Sequence, residues 1–497
     1  MKKKILFWIY GDITSFAIPH YLSEKIDYDA FAIIDVTNNP KKFYQEQKLT
    51  QFKKFWFYHD FFKSKDFTPD VDYLQKFEKK YNINLWELAT NERIFYRFNK
   101  FHIFDKNEIL KILETECKKF EEIINETKPD YYVSLDPNFH HSELLFQLLR
   151  HIGVKTLIIN QPNYKKTIIS QEPRKLDFCD LNSVNSSNQT FEQLRNELKK
   201  HDIYEHGVKQ RTFFKTSKKD LFNSALYYIF KYKNMNVETH YTYFGRTKFK
   251  VLIDNLKNQF LKSQRKKYID KKLTKDKKLD QKFIYFPLAV DEERNLLLSA
   301  PFFTNQVEII RSIAKSIPPG YTIIVKENPN QSIRYWRSTN EYNEIQSIPN
   351  VELLHPLFPN EKLMKNCSLL ITISGSAGFE ASFYGKPSII FSDLGYNILS
   401  SVTHVKSISE LSDAIRNSLN KKIESNDLDK YLQLLEKQSV NFDVAQIQAN
   451  YHKFFYYGGW IVDVNISEQR MKLFLDKNKP LFSELISKLS EKILNLN

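Results

Sequence analysis

Residues 369–393 read LLITISGSAGFEASFYGKPSIIFSD, and this stretch decides the fold class of the chain. Its first apolar run, 369–374, predicts a buried strand that ends in a tight Gly-Ser-Ala-Gly turn at 375–378. Helical spacing follows over 379–384, and a second apolar run at 388–391 predicts the next strand. Strand, helix and strand in this order indicate a parallel βαβ unit.

Four of the chain's 11 glycines fall within 21 residues: Gly375, Gly378, Gly385 and Gly395. Small residues let a ligand approach the backbone, and the first N–H groups of a helix suit a phosphate. Glu380, in the first helical turn, can accept hydrogen bonds from a ribose diol. We therefore expect a nucleotide phosphate site formed by Ser374, Gly375, Ser376, Ala377 and Gly378. The alternative is a strand–helix junction whose small residues serve only packing.

Two more loops in this half of the chain follow predicted strands. Lys326 comes directly after the apolar run 321–325, where its ammonium can neutralise a phosphate; an exposed strand-end lysine is the alternative. Asp291 and Glu293 follow the apolar run 283–287. Neighbouring carboxylates raise one another's pKa, which suits acid–base or nucleophilic roles, although solvated loop acids are the commoner case.

The first half of the chain shows the same alternation of strands and helices. Apolar runs predict strands at 4–10, 30–35, 131–135 and 156–160, and helical spacing predicts helices at 108–126 and 142–151. Asp136 and His140 follow the third of these strands, and Ser142 is expected to cap the next helix. They form a candidate acid–base cluster, or alternatively serve helix capping and loop packing. A metal site is not expected, because the adjacent His140 and His141 point apart and no third ligand is evident.

Composition excludes several classes of protein. The 497 residues are 42% hydrophobic, but no apolar run approaches the roughly 20 residues of a membrane span. The three cysteines are far apart, so neither a zinc site nor a disulfide framework is indicated, and a cytoplasmic setting is expected. The apolar stretch near the N-terminus, 5–10, is shorter than the apolar region of a signal peptide, which favours a first β-strand.

The net charge of +15 is unevenly distributed along the chain. Residues 201–280 hold 20 Lys or Arg against 8 Asp or Glu, with aromatic residues between the charges, as in YYIFKYK at 227–233. A solvated helical connector is one interpretation. The other is a peripheral contact of residues 209–278 with the anionic inner face of the cell membrane. No nucleic-acid-binding motif occurs, so no nucleic acid partner is expected.

These patterns predict an α/β protein of four parts. Residues 1–180 and 281–424 would each form a Rossmann-like domain, and the two sheets would face a cleft. Residues 181–280 would be a basic helical connector or insertion, and residues 425–497 a helical C-terminal tail. Ligands of open parallel sheets bind outside the carboxyl ends of the strands, so the candidate residues above are expected at the cleft.

Four motifs within residues 281–400 carry a resemblance to a known family: FPL near an acidic loop (286–293), a stretch ending in KENP (300–329), PNVELLHP (349–356) and ITISGSAGFEASFYGKPSII (371–390). This part of the chain resembles the capsular polysaccharide biosynthesis proteins, which are related to the bacterial Kdo transferases of capsule assembly. The resemblance implies a GT-B fold. It also implies that a nucleotide-sugar donor binds in the C-terminal domain and an acceptor against the N-terminal domain.

The resemblance further implies roles for individual residues. Residues 374–378 would hold the donor phosphate, and Glu380 would contact the donor's nucleotide part. Relatives usually have His-Pro where this chain has Asn328 and Pro329, and that histidine is expected at the donor phosphate. Asn328 can donate a hydrogen bond but carries no charge. Lys326, the serines and the helix dipole would stabilise the departing phosphate without an obligatory metal or other cofactor.

The function predicted in this way is a glycosyltransferase that moves a sugar from a nucleotide-sugar donor to a surface polysaccharide or lipid-linked acceptor. Glu293 or Asp291 is the first choice for the group that activates the acceptor or captures the sugar, and Asp136 or His140 is the second. Three alternatives stay open: a non-hydrolysing nucleotide-sugar epimerase, a CDP-polyol phosphotransferase and a non-catalytic scaffold of polysaccharide assembly.

Overall fold

The structure is a computed structural model that describes residues 2–10, 13–63, 67–161, 166–200, 218–230, 241–455 and 466–495. Two parts of the predicted membrane contact, 209–217 and 231–240, lie outside the described residues.

Strands and helices alternate along much of the chain. The strands are β1 (Lys3–Ile9), β2 (Tyr28–Ile34), β3 (Lys54–Phe57), β4 (Tyr131–Leu135), β5 (Lys155–Asn160), β6 (Thr167–Ser170), β7 (Phe283–Pro287), β8 (Thr322–Lys326), β9 (Val351–Leu354), β10 (Leu369–Thr372), β11 (Ser388–Ile390), β12 (Val402–His404) and β13 (Ser439–Val440). The helices of the N-terminal half are α1 (Ile13–Leu22), α2 (Asn38–Glu46), α3 (Val71–Tyr81), α4 (Leu85–Thr90), α5 (Lys106–Thr127), α6 (His140–His151), α7 (Phe191–Lys200) and α8 (Lys218–Phe230). Those of the C-terminal half are α9 (Lys248–Lys272), α10 (Arg294–Leu297), α11 (Gln306–Ser316), α12 (Thr339–Gln346), α13 (Asn360–Asn366), α14 (Ala377–Ser382), α15 (Leu411–Leu419), α16 (Asn426–Gln438), α17 (Val444–Phe455) and α18 (Glu468–Asn495).

The chain divides into two compact units, each built on its own sheet. The first unit comprises Met1–Asp177, Asp202–Lys248 and Gln438–Asn497, and the second comprises Phe178–His201 and Phe249–Lys437. The stretches predicted as a connector and a tail are therefore shared between the units rather than standing as separate parts.

The sheet of the first unit has the order β13-β6-β5-β4-β1-β2-β3 among its described residues. Strands β1 to β5 run parallel, and β6 and β13 pair antiparallel at one edge. The chain progresses outward from β1 in one direction to β3 and in the other direction from β4, so the strand order reverses between β1 and β4. This reversal is the topological switch point of a doubly wound fold.

The apolar runs of this sheet are explained by burial on both faces. In β1, Ile5, Phe7 and Ile9 pack into one core and Leu6 and Trp8 into another. The first core includes side chains of α1 and α18, and the second includes side chains of α5 and α6. A parallel strand covered on both faces has no polar side to alternate with, so its sequence is nearly continuous apolar residues.

The sheet of the second unit has the order β12-β11-β10-β7-β8-β9, and its strands all run parallel. Its order reverses between β7 and β10, so this sheet also has a switch point at its centre. The loops that follow β7, β8 and β10 leave the same edge of the sheet. This edge carries the glycine turn and Lys326.

The predicted fold class is confirmed: the chain contains two Rossmann-like α/β domains, with helices at its C-terminal end. The predicted start of one helix was wrong. Helix α6 begins at His140, so the two adjacent histidines lie in its first turn rather than in the loop before it. Phe139 is the residue before the helix, and its backbone N–H donates to Ser142 Oγ at 3.2 Å. Ser142 thus caps the start of α6 from a position within the first turn of that helix. None of the described helices is long and apolar enough to span a membrane.

Candidate functional site

The candidate donor site lies at the carboxyl edge of the second unit's sheet. Lys326 is the last residue of β8, and Ser374 follows β10 by two positions. In register, Lys326 pairs with Pro287 at the end of β7, which neighbours β10. The topology therefore brings these loops to the switch point, the place where open α/β sheets bind ligands.

The Lys326 side chain is buried, and no carboxylate among the described residues lies within ion-pair distance of its ammonium. Its residue is only 7% exposed, and its ammonium makes no hydrogen bond or ion pair with the described residues. Burial lowers the pKa of Lys326 to about 8, although the Glu380 carboxylate acts in the opposite direction. A buried charge without a paired partner is costly, so this arrangement suits an anionic ligand beside the ammonium.

Two hydroxyls of the glycine turn differ in their partners. The Ser376 hydroxyl donates to Glu380 Oε1 at 2.8 Å, while the buried Ser374 hydroxyl has no hydrogen-bond partner among the described residues. Burial raises the pKa of Glu380, and the Ser376 hydrogen bond and Lys326 oppose that rise. The turn thus presents one hydroxyl and one ammonium whose hydrogen-bonding capacity the described part of the protein does not use.

The glycines of the turn are explained by packing. A Cβ at Gly378 would lie 2.8 Å from the Tyr396 hydroxyl oxygen and 3.1 Å from Ile390 Cγ2. The Tyr396 hydroxyl donates a hydrogen bond to the Gly375 carbonyl oxygen at 2.7 Å, and this bond holds the turn in place. Gly385 has a φ of +63°, a conformation that L side chains rarely adopt. The small residues are therefore required by the fold itself, and their contact with a phosphate stays a prediction.

Asn328 shapes the loop after β8. Its side-chain oxygen accepts a hydrogen bond from the Asn330 N–H at 3.0 Å and caps the short 3₁₀ turn Pro329–Arg334. Its own backbone N–H donates to Glu327 Oε1 at 2.6 Å. Asn328 is thus fixed at the same sheet edge as Lys326, with its oxygen used for capping.

In the acidic loop after β7, the two predicted carboxylates have different surroundings. Both oxygens of Asp291 accept hydrogen bonds, one from Gln306 Nε2 at 2.8 Å and the other from Arg337 at 2.5 Å. Glu293 is exposed at the start of α10. Its carboxylate is therefore the more accessible of the pair, and Asp291 holds the loop in place.

Arg337 organises a buried ion cluster that the sequence did not reveal. Besides Asp291, it donates to Glu327 Oε2 at 3.0 Å and to Glu341 Oε1 at 3.0 Å. Burial raises the pKa of Glu327, and the Arg337 charge counteracts that rise. Arg337 follows two non-glycine residues of positive φ, Tyr335 and Trp336, and no local pattern signals its position.

The first unit carries its own polar cluster at the carboxyl edge of its sheet. Asp136 accepts a hydrogen bond from Arg174 Nε at 3.2 Å. His140 is fully buried, with Nδ1 2.9 Å from Glu92 Oε2 and Nε2 3.0 Å from Glu116 Oε1. Burial opposes a charge on His140, but the two carboxylates outweigh it and raise its pKa to about 10. This geometry gives His140 a structural role; its part in catalysis stays a prediction.

Asp35 and His59 belong to the same edge and were not predicted as site residues. His59 Nε2 lies 2.8 Å from Asp35 Oδ1, and His141 Nε2 lies 3.5 Å from Asp35 Oδ2. Asp35 follows β2, His59 follows β3 and His141 follows β4. A position after a strand is a signal that the sequence offers. Glu92 and Glu116 have no such signal, because they approach the cluster from elements distant in the chain.

The family model described as capsule polysaccharide biosynthesis protein matches residues 158–435, more than half of the chain. The chain belongs to this family. The match spans the whole of the second unit's sheet, including the glycine turn and Lys326, and confirms the resemblance seen in the motifs. No curated protein matches the chain significantly.

Solved structures give only distant similarities. The UDP-GlcNAc 2-epimerase of Methanocaldococcus jannaschii is 14% identical, with 88% of this chain and 99% of that chain covered and a TM-score of 0.26. KpsC of Thermosulfurimonas dismutans, a beta Kdo 2,7 transferase, is 12% identical, with 73% and 89% covered and a TM-score of 0.29. At these values neither likeness carries an argument about activity.

Proposed function

We propose that this member of the capsule family is a glycosyltransferase that binds a nucleotide-sugar donor in its second unit. Two polar groups at the switch point carry the proposal. The buried Lys326 makes no hydrogen bond or short ion pair with the described residues, and the Ser374 hydroxyl has no hydrogen-bond partner among them. A phosphate supplies what both need, a negative charge and hydrogen-bond acceptors.

The chemistry follows from where the charge develops. When the sugar leaves the donor, negative charge grows on the nucleotide phosphate, and a pre-placed ammonium and hydroxyl stabilise it. Glu380, within electrostatic reach of Lys326, is placed to accept hydrogen bonds from the ribose. Glu293 remains our first choice for an acid–base or nucleophilic group because it is accessible, with Asp291 holding its loop. On the acceptor side, Asp136 and His140 remain the second choice.

The test is a thermal-shift screen of CMP, UDP, GDP and CDP with the full chain and two variants. One nucleotide at 100 times its dissociation constant should stabilise the parent by about 2.7 kcal/mol. Lys326→Met should lose this stabilisation, because the phosphate then has no counter-charge. Lys315→Met, at the exposed end of α11, is the matched control and should keep it. An unchanged shift in folded Lys326→Met would place the nucleotide elsewhere. Sugar–nucleotide isomerisation without acceptor would indicate the epimerase alternative.

We further propose that α9 contacts the anionic surface of the membrane that holds a lipid-linked acceptor. Four large apolar side chains recur at helical spacing and face outward: Phe249 (73% exposed), Ile253 (48%), Leu256 (73%) and Phe260 (63%). At 3.6 residues per turn they form one stripe along α9. The helix also holds nine Lys or Arg against two Asp. An apolar stripe with basic flanks is typical of helices that lie in a membrane interface.

Liposome co-sedimentation tests this contact. The double variant Leu256→Ser and Phe260→Ser should weaken binding to anionic liposomes at least about tenfold, because each apolar side chain buried in the membrane contributes about 1.5–3 kcal/mol. Phe302→Ser is the matched control, because Phe302 is 78% exposed but lies off the stripe. High salt should also weaken the binding, because it screens the basic residues. Equal binding to neutral and anionic liposomes would contradict an electrostatic contact.

A further inference from the structure

Three potential metal ligands meet in the core of the first unit. Glu116 of α5 and the adjacent His140 and His141 of α6 each offer one ligand atom, and these atoms lie within 4.8 Å of one another. All three side chains are buried. A carboxylate and two imidazoles form the donor set of many zinc sites.

The adjacent histidines converge despite their neighbouring positions in the chain. Their rings are nearly perpendicular, at 81°, with centroids 5.2 Å apart. His140 Nε2 lies 3.0 Å from Glu116 Oε1, and His141 Nδ1 lies 3.4 Å from the Tyr241 hydroxyl. The Tyr241 hydroxyl connects back to Glu116 through the Tyr58 hydroxyl, at 2.8 Å and 2.5 Å. One ring nitrogen of each histidine thus faces the same polar centre.

The other nitrogen of each ring faces a carboxylate. His140 Nδ1 lies 2.9 Å from Glu92 Oε2, and His141 Nε2 lies 3.5 Å from Asp35 Oδ2. Metal-ligating histidines almost always place their second nitrogen against such a carboxylate, which fixes the ring and raises its basicity as a ligand. His140 therefore has the hydrogen-bonded outer partner of a metal ligand, and His141 has a carboxylate within ion-pair distance of its outer nitrogen.

Charge favours a cation at this centre. The buried Glu116 and Glu92 and the partly buried Asp35 bring three carboxylates into one region, and buried carboxylates are stabilised by nearby positive charge. Around them, the aromatic rings of Trp8 and Phe139 stack on His141 and limit access of water. A divalent cation would replace the proton that now joins His140 to Glu116.

We propose that Glu116, His140 and His141 bind a first-row transition-metal dication, with zinc as the best match. The fourth position would go to a water or to the Tyr241 oxygen. The site would tie α5 to the start of α6 near the end of β4 and so hold these two helices together. This assignment makes His140 a ligand rather than an acid–base group. It is independent of the donor site, which lies in the other unit.

The test uses the full chain after treatment with EDTA and removal of the chelator. Added ZnCl₂ should load about one zinc per chain, measured by elemental analysis after gel filtration. It should raise Tm by roughly 5–10 °C at a free zinc concentration 100 times the dissociation constant. CoCl₂ should give the visible absorption of a tetrahedral cobalt complex, a signal that needs no variant. MgCl₂ should do neither, because it prefers oxygen ligands.

Variants assign the ligands. Glu116→Gln and His141→Gln keep polar side chains of similar size and should lose stoichiometric zinc and the cobalt spectrum. His151→Gln changes an exposed histidine at the other end of α6 and should keep both. Absence of zinc uptake and of the cobalt spectrum in the parent protein would overturn the proposal. Equal zinc content in the folded ligand variants and the parent would overturn it as well.

Discussion

Each of the two sheets has a central switch point, but the buried polar groups at their carboxyl edges have different partners. In the first unit, His140 lies between Glu92 and Glu116, and each of these buried groups has a partner. In the second unit, the buried Lys326 makes no hydrogen bond with the described residues, although Glu380 attracts its charge, and the buried Ser374 hydroxyl has no hydrogen-bond partner among them. The cluster around His140 is satisfied by the protein's own side chains, whereas the Ser374 hydroxyl is not.

The difference teaches where to look for an anionic ligand. A satisfied buried cluster stabilises its surroundings through contacts that break only at high cost. Unsatisfied buried groups reduce stability until something else satisfies them, so they mark a site that a ligand completes. Mutations at the two edges should therefore have effects of opposite sign on the stability of the ligand-free protein.

The largest effect is expected at the satisfied edge. His140→Ala leaves Glu92 and Glu116 buried without their shared partner, which should lower the free energy of unfolding by about 3–5 kcal/mol. Urea unfolding in EDTA measures this change without any metal contribution. The matched control, His151→Ala, removes an exposed histidine from the same helix and should stay within about 0.5 kcal/mol of the parent. A loss in His140→Ala as small as the control's would contradict the satisfied cluster.

The opposite sign is expected at the unsatisfied edge. Lys326→Met removes a buried ammonium and keeps its apolar stem, so it should raise the free energy of unfolding without nucleotide by about 1–3 kcal/mol at pH 7. Urea unfolding again provides the measurement, with Lys315→Met as the control that should not change. If Lys326→Met were destabilising, the ammonium would already have a partner within the protein.

The glycine turn offers a sharper test of packing against ligand contact. Gly378→Ala places a methyl group against the Tyr396 hydroxyl and should cost about 1–3 kcal/mol of stability without any ligand present. Tyr396→Phe removes the hydroxyl and its hydrogen bond to Gly375, and alone should cost about 0.5–1.5 kcal/mol. Because the phenylalanine makes room for the methyl group, the double variant should lose less stability than the sum of the two single losses. Additive losses would show that Tyr396 is not what requires the glycine.

Apolar runs made much of the fold predictable. Strands β1, β4, β7 and β10 are buried on both faces, so hydrophobicity alone marks them. Strands β12 and β13 have three and two residues, and a partner in the sheet rather than local sequence defines them. In β13, Val440 pairs with Thr167, a residue far away in the chain. Such a pairing leaves no periodic signal.

The sites were predictable where a residue follows a strand along the chain. Lys326, at the end of β8, and Ser374, after β10, were predicted as site residues in this way, and Asp35 follows β2 by the same rule. Glu116 was not predictable, because it lies within α5 and reaches His140 only through the packing of α5 near the end of β4. Its helical neighbours give it the pattern of an ordinary buried face. The third ligand of the proposed metal site thus comes from tertiary structure and not from a local motif.

The smallest effect, and the last test of the comparison, is the pH dependence of nucleotide binding. The pKa of Lys326 is lowered to about 8, so its ammonium is charged below that pH and neutral above it. Because a phosphate needs the charged form, nucleotide affinity should be constant from pH 7 to about 8 and then fall by up to tenfold per pH unit, about 1.4 kcal/mol.

The free energy of unfolding without nucleotide should change in the opposite direction. In the unfolded chain Lys326 keeps its proton up to about pH 10.4, and stability rises with pH wherever the unfolded state binds more protons. Calorimetric titration at several pH values measures the affinity, and Lys326→Met should flatten both trends relative to the parent. A parent affinity that stays constant up to pH 10 would show that the ammonium does not contact the bound phosphate.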